Sequence, residues 1–297
     1  MLQITPRDIE LFKALNRYRY LRSNFMHRLV GGGKERVRDR IGWMLKEGYL
    51  AKPEQQLQSY NARYSPRIYE LTPKSRAILE AHGVPIRKWS GEHQFWHRLM
   101  ISDIMSSFEM IAKMQGLPFK DQWDIVGDRG ISLPASIEWD KKNQGNRVIG
   151  TLTSTRPFEP DALFAIGNTY FLLEADRGTE GNERTNLHQS SYLRKLLCYR
   201  HMFMNKTPQH EWGIPAPIVL HVTTKPDRLP NILNLFRDVA QHFGQPNPKS
   251  RRMAFMARPI LGSFEKHPEP LLSLLDDTWE RVGYPPLVIR NELTERR

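Results

Sequence analysis

Ile9, Phe12, Ala14 and Leu15 recur at helical spacing as far as about Tyr18, and Thr5 followed by Pro6 supplies an N-cap and a first helical residue. The same spacing resumes from Ser23 through Phe25, Met26, Leu29 and Val30, and Gly31, Gly32 and Gly33 stop it. A third amphipathic stretch follows directly from Lys34 to Glu47. Its apolar stripe is Val37, Ile41, Met44 and Leu45, while Lys34, Arg36, Arg38 and Arg40 fall outside that stripe. Tyr49 to Lys52 and Arg67 to Leu71 are short alternating segments joined by a polar loop that holds Arg63, which predicts a β-hairpin. Thr72 and Pro73 then repeat the cap signature and open a fourth helix through Leu79.

Helix, helix, basic helix, hairpin, helix is the order of a winged helix-turn-helix, in which the third helix enters the major groove and the wing touches the flanking backbone. Lys34, Arg36 and Arg38 are the candidates for groove contacts, and Arg40, with Arg63 and Arg67 of the wing, for phosphate. The competing explanation for any one of these cations is a solvated face paired with Glu35 or Asp39. Charge distribution favours the group as a DNA surface. The chain of 297 residues carries a net +12, and residues 1–90 hold 18 Lys and Arg against 8 Asp and Glu, so nearly all the excess lies in the first third. A basic block confined to one domain is an electrostatic footprint for a polyanion, whereas solubility charge would be spread evenly.

A segment with Gly83, Pro85 and Gly91 reads as a linker over 82–92, so the domains are expected at 1–81 and 93–297. A long helix is predicted from about His93 to Met114. His93 and His97 lie four apart on it, a spacing that can hold a metal but that more often serves packing when no third ligand is near. Trp123 to Val126, Ser136 to Trp139 and Arg147 to Thr151 read as short strands. Two apolar runs then flank Gly167-Asn168, a two-residue hairpin signal. In a tight turn Ile166 faces Thr169, Phe164 faces Phe171, Leu163 faces Leu172, and Asp161 lies opposite Glu174. Asp176 points to the same face, which gathers three carboxylates. Such a group calls for a divalent cation or for basic neighbours such as Arg177, unless the strands end there and the acids cap the sheet in solvent. Leu187 to Met204 and Leu229 to Phe243 are predicted helices, and Pro217 to Thr223 a buried strand. The whole is an α+β or α/β chain of two domains.

The acidic pattern Pro160-Asp161 with Glu174-Ala175-Asp176 resembles the PD-(D/E)xK nuclease core, a restriction-endonuclease-like sheet flanked by helices. That resemblance implies Mg²⁺ or Mn²⁺ held by Asp161 and Glu174, with Asp176 standing where the family has its lysine and Lys195 supplying the charge from the next helix. Asp161, Glu174, Asp176 and Lys195 are therefore the candidate catalytic residues, the three acids also the candidate metal ligands. From ITPRDIELFKAL through WMLKEGYL, YELTP, HRLMISD and FLLEADRGTE to KLLCY, the chain is similar to the replication-relaxation family over roughly residues 5–200. This resemblance implies a protein of plasmids and other mobile elements associated with plasmid replication and DNA relaxation.

The single cysteine, Cys198, excludes an intramolecular disulfide, and no stretch is apolar enough for a membrane span, so a cytoplasmic protein is expected. The partner expected is double-stranded DNA, with a homodimer compatible. Two rivals stay open: a Mg²⁺-dependent endonuclease or nickase, and a winged-helix transcriptional repressor whose second domain only dimerises or contacts partners.

Overall fold

The computed structural model describes residues 3–58, 66–89, 94–142, 147–178, 181, 186–245, 247–262 and 267–294. The chain is mixed α/β and divides into two compact units, Met1–Gln115 with Ile260–Leu274 and Gly116–Pro259 with Leu275–Arg297.

The first unit opens on α1 (Pro6–Tyr18), started by a capping box in which the Thr5 hydroxyl accepts from the Asp8 N–H and the Asp8 carboxylate accepts from the Thr5 N–H at 2.7 Å. Next come β1 (Leu21–Arg22) and α2 (Ser23–Val30), then α3 (Lys34–Lys46). Gly31 and Gly32 separate α2 from α3 at φ 71° and 97°, a backbone that side chains rarely adopt. After β2 (Leu50–Ala51) and β3 (Ile68–Leu71), Thr72 and Pro73 open α4 (Pro73–Ala81) as expected. The hairpin pairs Leu50 with Leu71 and Ala51 with Glu70. β1, too short to announce itself, pairs Leu21 with Tyr69 and makes the sheet three-stranded in the order β1-β3-β2.

The segment expected to be a linker is tied down. Asn16 donates to the Pro85 carbonyl at 2.9 Å and accepts from the Arg87 N–H at 3.1 Å, while the Trp89 indole donates to the Asn16 carbonyl at 3.2 Å. The long helix α5 (Phe95–Met114) belongs to the first unit and not, as expected, to the second. Phe95 and Leu99 pack with Tyr20 and Ile68, Ser102 donates to the Tyr18 carbonyl at 2.6 Å, and Arg22 is ion-paired to Asp103 at 3.0 Å. The division between units therefore falls near residue 115. Residues 260–274 return to the first unit, where the Asn24 amide donates to the Pro268 carbonyl at 3.0 Å.

In the second unit β4 (Phe119–Asp121) leads into α6 (Gln122–Val126), where a strand was expected. The Asp121 carboxylate accepts from both the Trp123 and Asp124 N–H groups, and this cap decides for helix over the β-propensity of Trp, Ile and Val. β5 (Ile137–Lys142) and β6 (Val148–Ser154) form a separate two-stranded ribbon. β7 (Ala162–Ile166) and β8 (Thr169–Asp176) pair in the expected register, Ile166 to Thr169 through Ala162 to Leu173. α7 (Tyr192–Met204) and α8 (Thr207–Trp212) follow, then β9 (Ile218–Thr223), α9 (Arg228–His242) and β10 (Met253–Ala257). The mixed sheet runs β10-β9-β8-β7-β4, parallel among β8, β9 and β10 and antiparallel elsewhere. Leu163, Leu172 and Val219 on one face of it share a core with Leu193, Leu196 and Leu197 of α7 and Ile232 and Val239 of α9. A short pair, β11 (Thr278–Trp279) and β12 (Leu287–Val288), precedes the terminal α10 (Ile289–Thr294). Among the described residues no helix is long and apolar enough to cross a membrane.

Candidate functional site

Two places collect the residues singled out by sequence. The first is the outer face of α3. Lys34, Arg36 and Arg38 are all exposed there. Arg38 is paired with Glu35 one turn away and lies 3.7 Å from Asp39, both pairs being open to solvent. Arg40, expected to meet phosphate, is instead turned inward. Its Nε donates to Asp8 at 3.0 Å, its Nη2 donates to the Gln3 carbonyl at 2.7 Å, and its guanidinium lies 4.8 Å from the centre of the Trp43 ring. Burial works against the Asp8 carboxylate, but the hydrogen bonds from Arg40 and Thr5 outweigh it and hold the group below its ordinary range. Arg40 thus joins α1 to α3. Arg67 is half-buried and its carbonyl accepts from the Ser23 N–H at 2.8 Å; Arg63 lies outside the described residues.

The second place is the sheet face under α7. Strand periodicity puts Glu174 and Asp176 on the same side of β8 as Leu172, facing the helix. Register then fixes their neighbours: Glu174 lies beside His221 and Asp176 beside Thr223 on β9, while Phe255 of β10 adjoins His221. Asp161, one residue before β7, accepts from the Ala175 N–H at 2.7 Å and so closes the hairpin end. Lys195, expected only as a charge from the next helix, reaches the row: its Nζ is 2.9 Å from Glu174 Oε2. One turn further along α7, the Tyr199 hydroxyl donates to Glu174 Oε1 at 2.5 Å. Burial pushes the Glu174 carboxyl up to about 7, with Lys195 opposing the shift and Asp161 adding to it. Burial, reinforced by Lys195, pushes His221 down to about 3, so its ring is neutral. The ring stacks on Phe255 at 4.7 Å, and neither nitrogen has a hydrogen-bond partner among the described residues.

Asp176 does not join the other two acids. Its Oδ1 accepts from the Gly178 N–H at 2.9 Å, its Oδ2 from the Thr223 hydroxyl at 2.9 Å, and Arg228 stands 3.5 Å away. Arg228, and not Arg177, is therefore the compensating cation. With one oxygen of Asp161 and both oxygens of Glu174 and Asp176 already held by protein donors, the three acids do not fit a divalent cation, which needs several free oxygen ligands. Among the described residues no group of three or more His, Cys, Asp or Glu side chains could hold a metal ion. His97 is no exception, and His93 lies outside the described residues. Burial pushes the Cys198 thiol, beneath α7, up to about 11 and leaves it unreactive.

Tyr199, His221 and Arg228 had not been singled out. Tyr199 carried a signal, four residues after Lys195 on one helix face, and so did His221, a titratable residue inside the apolar run Ile218–Thr223.

A profile of the replication-relaxation family matches residues 12–215. No curated protein matches the chain. Among solved structures, a crystal structure of protein VC1899 from Vibrio cholerae is similar at 13% identity, covering 89% of this chain and 56% of that one with a TM-score of 0.25. The chain thus spans little more than half of that protein's length, and so loose a superposition carries no argument.

Proposed function

The chain belongs to the replication-relaxation family, and from that premise we propose that it is a double-stranded DNA-binding protein of a mobile element, acting in plasmid replication or DNA relaxation. In this proposal the first unit is a winged helix-turn-helix and α3 its recognition helix. One observation carries the reading. The N-terminal half of α3 presents Lys34, Arg36 and Arg38 to solvent, on a segment that holds most of the chain's positive charge. Helix residues that stabilise the fold are turned inward, as Arg40 is, whereas these three serve no internal contact across the fold.

The test is full-length protein on a duplex, with Lys34, Arg36 and Arg38 replaced together by alanine. Affinity should fall by at least about tenfold at low salt, and the slope of log K against log salt should flatten by roughly 2 to 3 if all three meet phosphates or base edges. An unchanged affinity and slope would remove α3 from the interface. A winged-helix repressor makes the same prediction and differs only in leaving plasmid replication untouched.

The Mg²⁺-dependent nuclease is the second reading, and the approach of Lys195 to Glu174 beside Asp161 favours it. The occupied carboxylate oxygens count against it. We therefore take the second unit as nuclease-like in outline, with its Glu–Lys pair retained as a structural contact. Supercoiled plasmid incubated with the protein and Mg²⁺ or Mn²⁺ should remain supercoiled; a nicked product that disappears in Asp161→Asn would restore the enzyme.

A further inference from the structure

A cleft of about 480 Å³ opens in the first unit between the start of α1, the end of α2 and the inner side of α3. Its lining is of two kinds. Leu11, Val30, Val37 and Met44 give it an apolar floor, and Arg7 and Arg36 stand at it as cations. The third arginine, Arg40, is already neutralised by Asp8. Among the described residues neither Arg7 nor Arg36 has an ion pair. Arg7 is also held in place: its guanidinium lies over Gly32, where a side-chain carbon would come within 3.0 Å of Nη1. The glycine run that ends α2 therefore does more than turn the chain, since it makes the flat seat on which this guanidinium rests.

The geometry points to a binding site for a small anion with an apolar body, an aromatic or aliphatic carboxylate, whose charged group is taken by Arg7 and Arg36 and whose body lies on Leu11, Val37 and Met44. The volume falls within the range of roughly 300–1,000 Å³ usual for small-molecule sites, and an apolar cleft with a few convergent polar groups is their usual form. Bare phosphate or a DNA backbone has no use for the apolar floor. A neutral apolar molecule would leave two guanidinium groups without a counter-charge. Because Arg36 also stands on the proposed DNA face of α3, an occupant competes with DNA for it, and the site becomes an effector site. That coupling, though not the site, rests on the DNA-binding function proposed above.

Titration of the full chain with 2-naphthoate, followed by the probe's fluorescence, tests the site. Saturable one-to-one binding is expected, weakened at least about tenfold by Arg7→Gln, whose exposed side chain leaves the fold intact. 2-Naphthalenemethanol, which lacks the charge, and inorganic phosphate, which lacks the body, should each bind at least about tenfold more weakly than 2-naphthoate. Absence of saturable binding, or binding indifferent to Arg7→Gln, overturns the site. In the same samples 2-naphthoate should weaken duplex binding by the wild type and leave that of Arg7→Gln unchanged. If the probe binds as expected while DNA affinity does not move, the coupling falls. If DNA binds and the probe does not, the site falls and the DNA function stands. If the probe binds and no duplex does, the site stands and the DNA function falls, taking the coupling with it.

Discussion

Glu174 is the side chain whose surroundings ask most of it. It is fully buried, it accepts from Lys195 and Tyr199, and its carboxyl is raised from 4.5 to about 7, chiefly by burial. A group whose folded-state value lies above its unfolded one binds its proton more tightly when folded. Stability due to it is complete below about 4.5 and is lost as pH rises through about 7. His221 works the other way: burial lowers it from 6.5 to about 3, so its contribution is lost as pH falls through that window. The two slopes offset each other between about 4.5 and 6.5, and wild-type melting alone hides both. Comparison with Glu174→Gln isolates the first. The stability difference, wild type minus variant, should fall by on the order of a few kcal/mol between pH 4.5 and 7, read from thermal melts at half-unit steps. A difference that stays flat over that range would mean that Glu174 is ionised throughout and held by Lys195 alone.

At the scale of elements, the turn that sets the register of this row is Gly167-Asn168. Gly167 has φ 58° and Asn168 is not in the left-handed region, the pattern of a type II′ hairpin turn with glycine first. Nothing stands within 4 Å of where a Gly167 side chain would project, so the cost of substitution is backbone strain alone. Gly167→Ala should therefore lower stability by about 1–2 kcal/mol in urea denaturation, and Asn168→Ala by less than about 0.5 kcal/mol. Equal losses would contradict the turn type. The register itself was legible in the sequence because period-2 alternation and a two-residue turn leave one pairing that keeps Leu163, Phe164, Phe171 and Leu172 buried. The helices α1, α2 and α3 were legible for the same kind of reason, since caps and glycines mark their ends. α6 was not, because Trp123, Ile125 and Val126 look like a strand until the Asp121 cap is seen to satisfy two N–H groups at once. The candidate site was legible only in its acids. That Asp176 turns to Gly178, Thr223 and Arg228 depends on parallel pairing of β8 with β9, a contact between segments 47 residues apart that no local pattern announces.

For the whole molecule, what matters is which segments must be present for the basic unit to fold. Composition put the break at 82–92, yet the structure carries the first unit through α5 and brings residues 260–274 back to it. The reason is a buried ion pair. Arg22, at the start of α2, is 7% exposed and its Nε lies 3.0 Å from Asp103 on α5, itself 2% exposed. Burial raises the Asp103 carboxyl to about 6, with Arg22 opposing the shift, so the pair persists at neutral pH at a desolvation cost shared by both partners. Removing one partner of such a pair leaves an uncompensated buried charge and costs about 3–5 kcal/mol, a large part of the stability of a small domain. A fragment ending at residue 81 keeps all four helices and the hairpin that define the DNA-binding outline, but strands Arg22 and uncovers Tyr20 and Ile68, which Phe95 and Leu99 bury. It should therefore show no cooperative thermal transition by circular dichroism, whereas a fragment ending at residue 115 should show one. In the intact chain Asp103→Asn should reproduce the loss in milder form, since the amide still accepts a hydrogen bond but carries no charge. If the shorter fragment melts as sharply and as high as the longer one, α5 is an appendage, and the ion pair is a contact the basic unit can forgo. Should it fail to fold, its failure to bind DNA would say nothing about α3, which is why the Lys34, Arg36 and Arg38 substitutions belong in the full-length protein.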